Sequence, residues 1–194
     1  MSEDADDDEP DQRPIITRRL MLKSPEESER SLAVTLAADP VVSTNLAAAP
    51  GDYWQQGGRT LVVISRSVRT TIGVSGYGPM IDRPETVEVA TWIGESYWGR
   101  GYATEATQAV VDLAFAETGA LALWCANRVS NSRARRVIEK CGFQFRETGM
   151  ARSPVSLGAI PVERFVLERR NWASLKSWGA DDKEEGSAAS DSLC

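Results

Sequence analysis

The sequence contains no histidine. That absence removes every Ser-His and Cys-His nucleophilic machine and every His-ligated metal site. Cysteine is scarce as well. Cys125, Cys141 and Cys194 are odd in number, and their spacing suits neither a disulfide framework nor a metal knuckle. They read as reduced thiols in a reducing compartment, and no metal is expected. No apolar run approaches the roughly 18 residues that a membrane span needs. The start, MSEDADDDEP, is acidic where a secretory leader is basic and then apolar. A cytoplasmic protein without a membrane partner is expected. A dense Lys/Arg stripe is also missing, so nucleic acid is not an expected partner.

What is present is an ordinary globular composition. The chain has 194 residues, 42% hydrophobic and 26% charged, enough for one domain with a real core. Its charge is unevenly placed. Residues 1–13 carry seven acids and one Arg, and residues 177–194 carry five acids and one Lys. With a net charge of −6, the stretch between them is +4. Both ends are too polar to bury enough apolar surface to offset ordering, so they read as disordered acidic tails around a single domain over 14–176. The mildly basic body suits an anionic ligand. Whether it is a monomer or a homodimer is left open.

Periodicity places the elements. A strand is expected over 15–22, then a helix opened by Pro25 and running to Ala38, with Leu32 and Leu36 on one face. Asp39-Pro40 breaks it, and a short helix covers 41–46. TLVVIS (60–65) and 70–77 read as a hairpin turning at 66–69, followed by a loop over 79–84. Residues 86–93 alternate with period two, a strand. The strongest helix signal spans 102–117, where Ala103, Ala106, Val110, Leu113 and Ala114 form a stripe before Gly119. A strand over 121–125 and a helix from Ser130 or Asn131 to Cys141 come next. Strands over 143–148 and 162–168 close the domain. This order predicts an α/β (α+β) domain with a mixed sheet.

The informative stretch is Tyr97-Trp98-Gly99-Arg100-Gly101-Tyr102-Ala103-Thr104-Glu105-Ala106, which joins a strand to a helix. Gly99 and Gly101 allow unusual backbone angles and close approach of an anion to the main chain. The first helical N–H groups then point outward at the positive end of the helix dipole. Physically this is a pyrophosphate cradle, and Arg100 adds a positive charge. A nicotinamide site is disfavoured: its fingerprint wants a small residue where Thr104 stands and an acid about 20 residues on, and none occurs between Gly119 and Ile138.

These residues resemble the GNAT superfamily, in particular its ribosomal-protein N-terminal acetyltransferase branch. Thr17–Lys23 resembles that branch's first strand, and Glu88–Ile93 its central strand, followed at once by Tyr97–Ala106. Asn131, then Ala134, then Val137–Phe143 resembles the second signature helix, and Val162–Trp172 the closing segment. The resemblance covers roughly 14–172. It implies a GNAT-type, mostly antiparallel sheet of about six or seven strands flanked by helices. It also implies acetyl-CoA as co-substrate and a primary amine as acceptor. The pyrophosphate loop maps onto Trp98, Gly99, Arg100, Gly101, Tyr102 and Ala103, with Trp98 standing where the superfamily has Gln or Arg. Trp92 and Ile93 would lie beside the pantetheine arm, with one N–H of that strand polarising the thioester carbonyl. Asn131 matches an Asn whose side chain commonly meets the pantetheine, and it also suits a plain helix N-cap.

For the base that must take a proton from the amine, Glu88 is the candidate; the alternative for Glu88 is an ordinary strand carboxylate paired with an Arg or facing solvent. The superfamily's usual acid, a Tyr, is replaced by Ile138, leaving Tyr97, Tyr102 or water. Arg133, Arg135, Arg136 and Lys140 suit either the 3′-phosphate of CoA or a solvated helix face. A non-catalytic acyl-CoA-binding module of the same fold is the competing reading.

Overall fold

The computed structural model describes residues 13–46, 58–80, 82–152 and 158–177. The expected tails lie outside these residues, apart from residues 13 and 177. The strands are β1 (Ile15–Ile16), β2 (Leu20–Lys23), β3 (Arg59–Ser65), β4 (Thr70–Met80), β5 (Arg83–Ile93), β6 (Ala122–Arg128), β7 (Gln144–Arg152) and β8 (Ala159–Glu168). The helices are α1 (Glu27–Ala38), α2 (Pro40–Ser43), α3 (Tyr102–Thr118), α4 (Ser132–Lys140) and α5 (residues 169–177). The strands form one sheet in the order β1-β2-β3-β4-β5-β6-β8-β7. Every neighbouring pair is antiparallel except β5 and β6, which are parallel and joined through α3. The expected mixed, mostly antiparallel sheet is therefore present, with eight strands instead of six or seven.

The extra strand has a local cause. The single strand expected over 15–22 folds back on itself, pairing Ile15 with Leu22. The Thr17 N–H donates to the Leu20 carbonyl, and the Leu20 N–H donates to Thr17 Oγ1, both at 3.0 Å. These two bonds make the turn that divides β1 from β2. A second correction concerns the loop expected over 79–84. β4 continues to Met80 and β5 begins at Arg83, with a register shift between Pro79 and Met80. A proline at such an irregularity forfeits little ladder pairing, so Pro79 and Pro84 end up inside strands.

The residues that α1 buries are alanines. Ala33 and Ala37 are buried, whereas Leu32 is 38% exposed. Small side chains let this helix lie close to the sheet, and a reciprocal cap between Glu26 and Glu29 fixes its start. On the other side of the sheet, α3 covers the main core. Val89, Ile93 and Leu123 of the central strands pack against Ala106, Val110 and Phe115 of this helix. Among the described residues no helix is long and apolar enough to cross a membrane.

Candidate active site

The parallel pair β5–β6 is the feature that builds the site. It holds register only at Val87↔Leu123 and Glu88↔Trp124. Beyond that point β5 stays bonded to β4 as far as Ile93, and β6 stays bonded to β8 as far as Arg128. The two strands diverge, and the sheet opens into a V. Along Val89–Ile93, alternate main-chain groups point toward β6 and meet no strand there. A cleft of about 870 Å³ fills this opening. It is walled by β5, β6, the start of α3, and α4, with α2 at its rim.

The far end of the cleft is the glycine turn. Gly99 and Gly101 both have left-handed backbone angles, φ +73° and +76°. At Gly99 a Cβ would meet open space, and at Gly101 it would meet only the Arg19 guanidinium at 3.3 Å. Conformation, not crowding, is therefore what requires glycine here. Gly101 is the N-cap of α3 and has no side chain with which to cap it. The first helical bond runs from the Glu105 N–H to the Gly101 carbonyl, 3.2 Å. The N–H groups of Tyr102, Ala103 and Thr104 precede it and are available to an anion.

Glu105, one turn into α3, does not spoil this positive end. Its carboxylate accepts from Thr17 Oγ1 (2.6 Å), the Arg19 N–H (2.8 Å) and Arg19 Nε (2.7 Å). Burial pushes its pKa up, but these bonds outweigh burial and hold it below the usual carboxylate range. Arg19 Nη1 also donates to the Arg100 carbonyl at 2.7 Å, tying the glycine turn to the start of β2. Trp98 performs a similar tie from the other side: its Nε1 donates to the Ile93 carbonyl at 2.6 Å.

Glu88 sits at the vertex of the V, on the face of β5 that also carries Ala90 and Trp92. It is 6% exposed. Burial raises its pKa to about 7; Arg164 opposes the rise and Asp82 adds to it. Arg164 is held beside it by a 2.6 Å bond from Nη2 to Asp82 Oδ2. The arrangement is a buried carboxyl group with its pKa raised to about 7, at the vertex where β5 and β6 part.

The description "Acetyltransferase (GNAT) domain" is that of the family whose sequence pattern matches residues 19–144. The chain belongs to the GNAT acetyltransferase family. No curated protein sequence gives a match. Solved GNAT structures share its fold. One is a GNAT-family acetyltransferase from Bacillus anthracis, 18% identical, with a TM-score of 0.66 over 80% of this chain and 98% of the other. A second is the aminoglycoside acetyltransferase AAC(6')-Ib in complex with coenzyme A, 17% identical, TM-score 0.66, covering 81% and 99%. A third is RimL, a ribosomal L7/L12 α-N-protein acetyltransferase in complex with coenzyme A, 13% identical, TM-score 0.62, covering 80% and 98%.

Within this GNAT cleft, Trp92, Ile93, Trp98, Gly99, Gly101, Tyr102, Ala103 and Asn131 all line the wall, as do the tyrosines Tyr97 and Tyr102 considered as acids. Two candidates do not. Glu88 lies behind the wall at the vertex, and Arg100 points outward, its guanidinium 6.0 Å from the Tyr97 ring centroid. Ile138 is buried and apolar, so its position offers no proton. Asn131 caps α4: its Oδ1 accepts the Ala134 N–H at 3.0 Å, and its Nδ2 donates to the Asn45 carbonyl at 3.2 Å. Asn131→Ala is expected to lower stability by about 1 kcal/mol through loss of this cap, measurable as a drop in Tm.

The basic residues of α4 divide sharply. Arg133, Arg136 and Lys140 line the cleft at helical spacing, whereas Arg135 turns away to bond Glu139 (2.8 Å) and Glu163 (2.7 Å). The spacing three and four apart was the signal in the sequence that separates them. Asn127 on β6 is a wall residue that sequence reasoning missed.

Two buried side-chain polar atoms have no hydrogen-bond partner among the described residues, Trp92 Nε1 and Asn127 Oδ1. One stands on β5 and the other on β6, and both residues line the cleft. A donor and an acceptor left bare on opposite walls fit a ligand with amide groups, as the pantetheine arm of CoA has. The bare helix end fits its diphosphate.

Proposed function

We propose that this chain transfers an acetyl group from acetyl-CoA to a primary amine, either a protein N-terminus or a small-molecule amine, by direct attack in a ternary complex within the cytoplasm. The observation that carries the reading is the V between β5 and β6, open along its edges and ending at the uncapped turn of Gly99–Gly101. Fold relatives support it: AAC(6')-Ib is known with acetyl-CoA and an aminoglycoside, and RimL acts on a protein N-terminus.

Acetyl-CoA would supply the activated acyl group: a C–N bond to the amine would form as the C–S bond breaks, with the CoA thiol as leaving group and its proton coming from Tyr97, Tyr102 or water. The chain supplies the rest. Tyr102, Ala103 and Thr104 hold the diphosphate through their N–H groups, with Arg133 and Arg136 nearby as positive charge. The bare N–H groups of β5 orient the thioester carbonyl. Glu88, which lies behind the wall, takes the proton from the incoming ammonium through water. With a pKa raised to about 7, it is ionised enough to act near neutral pH and basic enough to accept. The thiols of Cys125 and Cys141 take no part. Burial raises both pKa values, that of Cys141 to about 12, and keeps them protonated.

The test is release of free thiol from acetyl-CoA across a panel of peptides with free N-termini, polyamines and aminoglycosides. Saturable release that depends on one class of amine is expected. Tight CoA binding with no release for any amine would replace the enzyme with a binding module.

A further inference from the structure

We propose that Asn127 reads the pantetheine arm, its side-chain oxygen accepting an N–H from one of the arm's amides. This rests on the acetyl-CoA reading above and assigns a contact that Asn131, with both ends of its side-chain amide already partnered, leaves open.

The orientation of the Asn127 amide is dictated by its neighbours. Its Nδ2 donates to the Arg128 carbonyl at 2.7 Å and also faces the Glu163 carboxylate at 3.4 Å and the Asn131 carbonyl at 3.5 Å. All three are acceptors. Turning the amide over would set oxygen against three oxygens, so the nitrogen must stay where it is. Oδ1 is then fixed on the opposite side, with no partner among the described residues, in a residue 2% exposed that lines the cleft. An acceptor held bare in this way calls for a donor. An anion or a carbonyl would be repelled there.

Position selects the donor. β6 advances about 3.3 Å per residue, which puts Asn127 about 10 Å beyond Trp124 at the vertex. That is past the reacting end of the cleft and short of the glycine turn, the stretch that an arm joining thioester to diphosphate must cross. The N–H groups available along such an arm are those of its two amides. Asn127 is thus a positioning residue: it holds the arm in register between the base and the phosphate cradle.

Calorimetric titration of the full chain with three probes tests this. Coenzyme A carries the arm and the thiol, desulfo-coenzyme A carries the arm alone, and adenosine 3′,5′-bisphosphate carries neither. Asn127→Ala should weaken coenzyme A and desulfo-coenzyme A alike, by about 5- to 10-fold, and leave the bisphosphate unchanged. The bisphosphate doubles as a check of folding. If the alanine variant loses it as well, Asn127→Ser, which keeps a donor for its neighbours but lacks the amide oxygen, is read in its place. Unchanged affinity for coenzyme A overturns the proposal. So does a loss confined to coenzyme A, which would place the contact on sulfur. In either case wild-type binding stands and the acetyl-CoA reading survives. Wild-type protein that binds none of the three would remove both.

Discussion

Replacing Glu88 with Gln is expected to lower kcat/KM for the amine by about 100-fold or more while making the protein more stable at alkaline pH. The two effects share one cause. Glu88 is buried with a pKa raised to about 7 against an ordinary carboxylate near 4.5. Between those values the folded state holds a proton that the unfolded state has released. Stability therefore falls as pH rises across that window and is lowest above pH 7. The accumulated cost is on the order of 3 kcal/mol. Glutamine has the same shape without the charge, so the variant should gain several degrees in Tm at pH 8 and little at pH 4. The activity measurement is independent. Wild-type kcat/KM should climb with pH through about 7, and the variant's profile should lose that limb. A variant that keeps the limb would remove Glu88 from proton transfer and leave it a strand carboxylate beside Arg164.

The second large effect belongs to the other end of the cleft. Gly101→Val should raise KM for acetyl-CoA at least about 10-fold and leave kcat at saturation nearly unchanged. A β-branched residue cannot hold φ +76° without severe strain. The backbone would rotate out of the left-handed region, and the N–H groups of Tyr102 and Ala103 would swing away from the diphosphate. Such a contact is made equally before and during reaction, so its loss appears in binding and not in turnover. Gly99 holds the same left-handed angle, φ +73°, so alanine there is strained as well despite the open space around it. An unchanged KM for the Gly101 variant would show that the turn does not grip the cofactor.

These two positions also show why parts of the site were legible in the sequence. The glycine turn declares itself because its geometry is local: a strand end, two glycines and an uncapped helix are adjacent in the chain. Glu88 was legible as a carboxylate on a central strand. Its raised pKa was not, because that depends on burial, with Asp82 adding to the rise and Arg164, 76 residues away in the chain, opposing it. Asn127 gave no local signal. Its bare oxygen follows from three acceptors contributed by a β8 carboxylate, the last residue of β6 and the turn after it. The fold errors have the same origin. Periodicity set Leu32 and Leu36 on one face of α1, but it does not weigh side-chain size, and the residues this helix buries are Ala33 and Ala37. Prolines at 79 and 84 signalled a loop, yet a register shift absorbs them inside β4 and β5.

The most direct measurement is a calorimetric titration of the intact chain with coenzyme A, repeated on the Gly101→Val protein. One site per chain, weakened at least about tenfold by the substitution, is the predicted result. No heat of binding to the wild type would mean that the open V and its glycine turn serve some other ligand.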